Sequence, residues 1–271
     1  MTKAQLIEQI FQKKSYLCVG LDPDFDKIPE HLKSTEQPLF EFCKQIVDAT
    51  KDYCVAYKPN TAFFECYGDK GWLQLQKTIK YIGESHLTIA DAKRGDIGNT
   101  SNKYAQAFFE HLNADAITIQ PYMGKDSVDA FLAYKNKWVV LLAATSNKSA
   151  EDFQFLNVNA SDEKLYQTLI KKSAGWATSN QLMYVTGATR PELLKEIREQ
   201  VPDYFLLVPG VGAQGGSLQE VSEAALTKEC GLLINVSRGI LYKSNGEDFA
   251  SAAAQEAKRI QMEMAELLAG A

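Results

Sequence analysis

Eight short apolar runs, each followed by a segment with helical spacing, predict a (β/α)8 barrel of the TIM type formed by a single domain, residues 1–271. Most runs are continuously apolar, which is typical of parallel strands covered on both faces. Polar side chains collect where the runs end, on the face where barrel active sites lie. The predicted strands are residues 15–22, 53–60, 87–93, 115–121, 138–145, 182–188, 204–210 and 232–239.

The segments between the runs have the spacing of amphipathic helices. The apolar face of residues 38–50 consists of Leu39, Phe40, Cys43, Ile46 and Val47. Residues 72–83 and 191–201 show the same pattern, and Pro191 suits the first turn of a helix.

Two other architectures fit the sequence less well. A doubly wound open sheet would also use βα units, but no GxGxxG follows the first predicted strand. A solenoid needs a nearly constant repeat, whereas the predicted strands start at irregular intervals, from ~22 to ~44 residues. The barrel is therefore the preferred prediction.

The composition indicates a soluble protein without a basic surface field. Lys and Arg number 29 against 34 Asp and Glu, a net charge of −5, which argues against nucleic acid or an anionic membrane as a partner. The start of the chain lacks a signal-peptide core, and no apolar run approaches the ~20 residues that cross a bilayer. Cys18 and Cys54 lie in apolar runs, which favours buried, reduced thiols. We therefore predict a cytoplasmic protein.

The ends of the predicted strands carry more charge than a generic barrel face would require. They read Asp22, Lys58, Asp91 with Lys93, Gln120, Thr145 with Ser146, Gly187, Pro209 and Arg238. Taken singly, Asp22 also fits a turn and Lys58 a solvated strand end. Their convergence on one face of the barrel favours a catalytic or binding site over isolated turns and solvated strand ends.

The stretch DAKRGDIGNT, from Asp91 to Thr100, is the strongest of these signals. Asp91 and Lys93 are two positions apart in a predicted strand, so they would share a face, and burial would require their charges to neutralise each other. Asp96 follows in a turn that opens the next helix, and its spacing alone leaves open whether it faces the same pocket or points away from its own barrel. A solvated charge run at a helix start is the alternative.

Two stretches near the end of the barrel suggest a phosphate site. PGVGAQGG, residues 209–216, follows the seventh strand and leads to Ser217 as a helix N-cap. NVSRGI, residues 235–240, follows the eighth strand and supplies Arg238. These two loops are the recurrent phosphate position in such barrels, although glycines alone also fit a tight turn.

Histidine and metal chemistry receive little support. His31, His86 and His111 show neither HExxH nor triad spacing, so we expect them on the surface or in packing roles. Carboxylates at the predicted barrel mouth leave Mg²⁺ binding there as an alternative, but Lys93 would compete with a cation for the same space. The polar segment 146–163 after the fifth strand is long enough to suggest a functional loop.

The motifs GLDPD, YKPN, DAKRGDIG, PGVGAQGG and NVSRGI, in this order, resemble those of the orotidine 5′-phosphate decarboxylase family. DAKRGDIG is the form found in a longer bacterial subgroup, and the resemblance covers roughly residues 15 to 240. It implies a homodimer without cofactor or metal that converts orotidine 5′-monophosphate to uridine 5′-monophosphate in pyrimidine biosynthesis. It implies neither a nucleic acid nor a membrane partner.

The resemblance also implies roles for the matching catalytic positions. Lys93 would protonate C6 as carbon dioxide leaves, with Asp91 beside it, next to the substrate carboxylate. Asp96, accompanied by Ile97 and Thr100, would reach across the dimer interface into the site of the partner subunit.

The remaining positions match substrate-binding residues. Asp22 and Lys58 would bind ribose hydroxyls, and Lys58 would join the charged network. Gln214, in the loop that begins at the substrate-binding Pro209, and Arg238 would hold the phosphate. Ser146 would contact the pyrimidine, with its neighbour Thr145 as the alternative.

Two other functions compete with this one. A sugar-phosphate decarboxylase or aldolase on the same barrel would use an Asp–Lys–Asp motif with Mg²⁺, but the Gln214 loop and the DAKRGDIG form argue against it. A non-catalytic barrel that senses uridylate would have no need of the intact set Asp91, Lys93 and Asp96.

Overall fold

The computed structural model describes residues 1–158, 162–212 and 215–270. Its eight strands run parallel and close into a barrel in chain order, with β8 paired to β1. The strands are β1 (Leu17–Leu21), β2 (Ala56–Pro59), β3 (Leu87–Arg94), β4 (Ala116–Ile119), β5 (Trp138–Ala144), β6 (Leu182–Thr186), β7 (Phe205–Pro209) and β8 (Leu232–Val236). The predicted barrel is confirmed, and only β3 extends beyond its predicted run, by one residue to Arg94.

Helices cover the outside of the barrel. In the described parts of the chain they are α1 (Lys3–Lys13), α2 (Glu30–Lys33), α3 (Pro38–Thr50), α4 (Ala62–Glu65), α5 (Gly68–Ile82), α6 (Gly98–Gln106), α7 (Asp126–Leu132), α8 (Leu165–Ser173), α9 (Pro191–Gln200), α10 (Leu218–Ala225), α11 (Arg238–Leu241) and α12 (Phe249–Ala269). A π-helical turn extends α6 over Ala107–His111, and the segment after β5 contains a 3₁₀ turn at Lys148–Asp152. None of these described helices is both long and apolar enough to cross a membrane.

Helix α3 has the predicted bounds but a different inner face. Leu39, Cys43, Ile46 and Val47 are buried as expected, whereas Phe42 is buried in place of Phe40. The reason is tertiary: the Phe42 ring stacks on Phe249 of α12 with 5.2 Å between centroids, while Phe40 contacts Tyr81 at the half-exposed edge. Helix α5 begins at Gly68, four residues before its predicted start.

The strands are buried on both faces, which explains their continuously apolar sequences. Every residue of β1, β2, β4, β6 and β8 is buried. In β2, the Tyr57 hydroxyl points outwards and lies 2.9 Å from the Thr50 hydroxyl of α3. Because side chains alternate along a strand, the next residue, Lys58, points into the barrel.

The cysteine predictions hold. Cys18 and Cys54 are fully buried and carry free thiols, as do Cys43 and Cys230. Burial raises the pKa of the Cys54 thiol to about 12, so it stays protonated. The fifth thiol, on Cys66, is exposed.

Arg198 of α9 ties two helices to a barrel strand from a buried position. Its guanidinium donates to the carbonyl of Ala225 at the end of α10 and to that of Gly231 just before β8, at 2.9 and 2.7 Å. It also donates at 3.0 Å to the carbonyl of Val201, the residue that follows α9. The bonds to Ala225 and Val201 satisfy carbonyls that helix ends leave unpaired.

His86 has a packing role, as predicted for the histidines. Its ring is buried against Tyr57, and its Nε2 lies 2.8 Å from the Lys13 ammonium of α1. Nε2 also lies 2.8 Å from the Lys51 carbonyl oxygen, and Nδ1 lies 2.9 Å from the Ser85 hydroxyl, so both ring nitrogens have polar partners. Burial and the Lys13 charge lower the pKa of His86 from 6.5 to about 4.

We predict that His86 makes the protein less stable in acid. The unfolded chain binds a proton at His86 near pH 6.5, but the folded chain only near pH 4, so this residue's contribution is complete above pH 6.5 and is lost as the pH falls towards 4. The free energy of unfolding should fall by about 2 kcal/mol between pH 7 and 4.5 because of His86, as measured by urea denaturation. His86→Gln should flatten this dependence, whereas His111→Gln, at an exposed site, should not. An equally steep dependence in His86→Gln would contradict the assignment.

Candidate active site

A cavity of about 210 Å³ opens at the carboxyl ends of the strands. Five of the predicted site residues line it, namely Asp22, Lys58, Asp91, Pro209 and Arg238. Its other lining residues are Asn60, Gly210, Val211, Asn235, Val236 and Ser237. Larger cavities of about 740 and 660 Å³ lie among the outer helices, but neither contains the charged cluster described next. The small cavity is therefore the candidate site.

Asp91 stands between two lysines. Its Oδ2 accepts a hydrogen bond of 2.7 Å from the Lys58 ammonium, and its Oδ1 accepts one of 2.6 Å from the Lys93 ammonium. The side chains of Asp91 and Lys58 are 10% and 6% exposed, whereas that of Lys93 is 45% exposed. The pair predicted from the sequence is thus formed, and Lys58 extends it to a triad. Asp91 and Lys58 are buried and line the cavity, whereas the exposed Lys93 is not among its lining residues.

Burial opposes the charges of this triad, but the neighbouring charges outweigh it. The Lys58 and Lys93 ammonium groups hold the pKa of Asp91 well below its ordinary value despite the cost of desolvation. Desolvation would likewise lower the pKa of Lys58, yet the carboxylates of Asp91 and Asp22 raise it above its ordinary value. The site therefore keeps Asp91 negative and Lys58 positive across the physiological range.

A bulge in β3 places Lys93. Ala90 pairs with Ile117 of β4, but Ile119 pairs with Arg94 instead of Ala92, so β3 holds two additional residues here. Lys93 has a φ of 48°, a left-handed conformation that is unusual for a residue with a side chain. The prediction that Asp91 and Lys93 meet is confirmed, but regular strand alternation is not the reason.

Thr118 of β4 fills the gap that the bulge leaves in the ladder. Its hydroxyl oxygen accepts the backbone N–H groups of Ala92 and Lys93 at 3.0 and 2.9 Å, and donates to Asp91 Oδ1 at 3.1 Å. Sequence reasoning missed Thr118; the only signal was one hydroxyl in the otherwise apolar run AITI.

Asp22 brings an unpaired acceptor to the cavity. Its Oδ1 is buried and has no hydrogen-bond partner among the described residues. Its backbone carbonyl accepts from the Tyr242 hydroxyl at 2.7 Å, which fixes the loop after β1. An orphan carboxylate oxygen in a polar cavity is suited to a ligand hydroxyl.

Gly20 allows polar side chains from the end of β8 to pack closely where they line the cavity. A Cβ on Gly20 of β1 would lie 1.8 Å from the Ser237 hydroxyl oxygen, so only glycine leaves room for Ser237 there. Asn235 donates to the same hydroxyl at 3.3 Å. The motif NVSRGI contains Asn235 and Ser237, and YKPN contains Asn60, but only the charged residues of these motifs stand out in the sequence.

The glycine-rich loop after β7 folds back on itself. Val211 bridges to Gly216, and Gly210 and Gly212 have φ values of 103° and 75° that favour glycine. The exposed Arg238 begins α11 at the neighbouring strand end. Gln214, predicted as the second phosphate ligand, lies outside the described residues.

Asp96, Ile97 and Thr100 do not line the cavity of their own barrel. Asp96 Oδ1 accepts the backbone N–H of Ile97 at 2.7 Å at the start of α6. Ile97 is 53% exposed, and Thr100 is also exposed. The sequence spacing leaves this point open, and the structure keeps Asp96 out of the cavity that Asp91 lines.

Ser146 follows β5 and lies against the end of β6. A Cβ on Gly187 would be 2.7 Å from the Cβ of Ser146, so glycine permits this approach. The neighbouring Thr145 hydroxyl is already engaged, since it donates to Asn147 Oδ1 at 2.6 Å and accepts from Gln154 at 2.8 Å. That Ser146 and not Thr145 contacts the pyrimidine stays a prediction.

No group of three His, Cys, Asp or Glu side chains that could hold a metal ion occurs in the described ranges. Of the carboxylates that line the cavity, that of Asp91 already has a lysine ammonium bonded to each of its oxygens. That the reaction needs neither metal nor cofactor stays a prediction.

Comparison with known proteins agrees with this geometry. The family model described as "Orotidine 5'-phosphate decarboxylase / HUMPS family" matches residues 15–253. The chain is 59% identical over 271 residues to the orotidine 5′-phosphate decarboxylase of Flavobacterium johnsoniae, covering 99% of this chain and 98% of that protein. It is 55% identical to the protein of the same name from Bacteroides fragilis, with the same coverage.

Solved structures give the same result. The structure of Leishmania donovani OMP decarboxylase superposes with a TM-score of 0.81 at 38% identity, covering 97% of this chain and all (100%) of that one. Leishmania donovani UMP synthase superposes with a TM-score of 0.82 at 40% identity; the match covers 95% of this chain but 56% of that longer one. The family and the enzyme class predicted from the motifs are thereby confirmed. The chain belongs to the orotidine 5′-phosphate decarboxylase / HUMPS family.

Proposed function

We propose that this protein decarboxylates orotidine 5′-monophosphate to uridine 5′-monophosphate and carbon dioxide in pyrimidine biosynthesis, without a cofactor. The observation that carries the proposal is the triad Lys58–Asp91–Lys93 at the mouth of the barrel, with its fixed charges and 2.6–2.7 Å contacts. Relatives at 53–59% identity bear the name of this activity.

The triad suits a reaction in which negative charge develops on carbon. The bond between C6 and the carboxylate breaks, carbon dioxide leaves, and the electron pair stays on C6. The Lys93 ammonium stabilises this charge and delivers its proton to C6; solvent then returns a proton to the amine. Because Asp91 already holds Lys93, little reorganisation is needed as the charge develops.

Asp91 also faces the leaving carboxylate in this scheme. Its own negative charge persists because the flanking lysines hold its pKa low. Placing a second carboxylate nearby disfavours the bound substrate relative to the transition state, in which that charge departs as neutral carbon dioxide.

Binding energy would come from the other end of the nucleotide. Arg238 and the backbone of the glycine-rich loop from Pro209 bind the phosphate, together with Gln214. The orphan Oδ1 of Asp22 accepts a ribose hydroxyl beside Lys58. Ser146 contacts the pyrimidine ring.

A second subunit completes the site in this proposal. Asp96, Ile97 and Thr100 lie outside their own cavity and serve the partner's. Next to them, the loops after β3 and β4 expose apolar side chains: Ile97, Tyr122 and Met123 are 53%, 87% and 48% exposed. The two loops are joined by a bond of 2.9 Å from the Gln120 N–H to the Arg94 carbonyl. Exposed apolar side chains on neighbouring loops are suited to a two-fold interface.

We predict that Lys93→Ala abolishes turnover. Removing the proton donor and the cation beside C6 should lower kcat by at least about 10³-fold. The loss of orotidylate's ultraviolet absorbance reports the reaction directly. Lys171→Ala, at an exposed lysine of α8, is the matched control and should retain full activity. Absence of turnover in the wild type, or normal turnover in Lys93→Ala, would refute the proposal.

Metal dependence separates this activity from its competitor. The family description also covers the HUMPS branch, and a sugar-phosphate decarboxylase or aldolase on this barrel would use Mg²⁺ on its carboxylates. We expect turnover of orotidylate to be unchanged after dialysis against EDTA, because Asp91 is occupied by two ammonium groups. A loss of activity that Mg²⁺ restores would favour the competitor.

The shared site can be tested with mixed dimers. Lys93→Ala and Asp96→Ala should each be inactive alone. After mixing and subunit exchange, half of the dimers are hybrids with one intact site, so about a quarter of the wild-type activity should return. No recovery, despite hybrids detected by native mass spectrometry, would show that Asp96 does not act across an interface.

A further inference from the structure

We propose that Thr118 is a positioning residue that holds the Lys93 ammonium at the reacting carbon. The proposal rests on the function of Lys93 proposed above. It adds a residue that touches neither the cavity nor the substrate and acts through the β3 bulge.

The Thr118 hydroxyl has all of its hydrogen-bonding capacity directed at the bulge. A hydroxyl offers one donor and two acceptor lone pairs. The oxygen accepts from the N–H groups of Ala92 and Lys93, and the proton goes to Asp91 Oδ1. That carboxylate oxygen is also the one that accepts from the Lys93 ammonium. One buried side chain therefore holds both the backbone and the counter-ion of Lys93.

Arg94 holds the same peptide group from the opposite direction. Its Nη1 donates to the Ala92 carbonyl at 2.9 Å, and this carbonyl shares a peptide unit with the Lys93 N–H that Thr118 accepts. Arg94 is itself fixed by an ion pair with Glu65 and by packing over the Phe108 ring. The peptide between Ala92 and Lys93 is thus held at both of its polar atoms.

Such a clamp is needed because the bulge is unfavourable by itself. The left-handed backbone at Lys93 is strained, and the irregular ladder leaves two N–H groups without strand partners. Without the hydroxyl these buried groups would be unpaired, and the bulge would relax towards another geometry. The Lys93 ammonium would then move relative to C6, and a displacement of about 1 Å can lower a rate by about 10²-fold.

The consequence should be confined to the chemical step. Thr118 does not line the cavity, whereas Asp22 and Arg238, which bind the remote parts of the nucleotide, do. Loss of the hydroxyl should therefore lower kcat and leave KM nearly unchanged, which is the signature of an interaction used in the transition state.

The experiment compares three variants with the wild type. Thr118→Val keeps the shape and removes the hydroxyl; we expect kcat to fall about 10- to 100-fold with KM within about twofold. Thr118→Ser restores the hydroxyl and should return kcat to within about threefold of the wild type. Thr186→Val is the control, because this buried threonine at the end of β6 has a hydroxyl without a partner in the described structure; it should behave as wild type. Thr118→Ala is a second hydroxyl-free variant should the valine protein not fold.

A readout without turnover separates this inference from the proposed function. Amide hydrogen exchange at Ala92 and Lys93, followed by NMR, should be faster in Thr118→Val and unchanged in Thr118→Ser. If the wild type turns over but Thr118→Val keeps its kcat, or if Thr118→Ser is as impaired as Thr118→Val, the positioning role is overturned. Unchanged exchange in Thr118→Val would overturn the clamp even if orotidylate proved not to be the substrate.

Discussion

The buried carboxylate of Asp91 between two lysines is the interaction on which the site depends. An unpaired charge at the depth of Asp91 or Lys58 would be destabilising, and the buried carboxylate is tolerated because each ammonium donates to a separate one of its oxygens. Removing either lysine would leave one oxygen of Asp91 without its ammonium partner. The same requirement fixes the lysines in place, so one electrostatic constraint provides both the stability of the barrel mouth and a rigid cation at its edge.

That constraint explains why β3 is irregular. A regular strand would leave Lys93 in the ladder, whereas the two additional residues and the left-handed backbone turn its ammonium back onto Asp91. The cost of the irregular backbone is offset by Thr118 and Arg94, which satisfy the polar atoms that the bulge removes from the sheet. Local strain and a reactive side chain coincide here, as is common at functional sites.

The barrel separates charge chemistry from ligand binding. The triad lies on β2 and β3, while the glycine-rich loop and Arg238 follow β7 and β8. Close approaches at Gly20 and Gly187 bring polar groups of neighbouring strands together between these two ends. The arrangement suits a ligand with an anionic tail on one side and a reacting group on the other. Asp96 and Ile97 do not line this cavity and belong to the surface proposed for a second subunit.

The sequence by itself determined the barrel, the order of its strands and the family, because a continuous apolar run between polar ends depends only on local burial and on chain order. It also identified Asp22, Lys58, Asp91 and Arg238 as residues of the candidate site, because their charges stand out against apolar neighbours. Only the tertiary structure decided that Phe42 packs inwards in place of Phe40, that a bulge and not strand alternation joins Lys93 to Asp91, and that Thr118 holds them. These features depend on contacts between elements distant in sequence, such as α3 with α12 and β3 with β4, which no local pattern encodes.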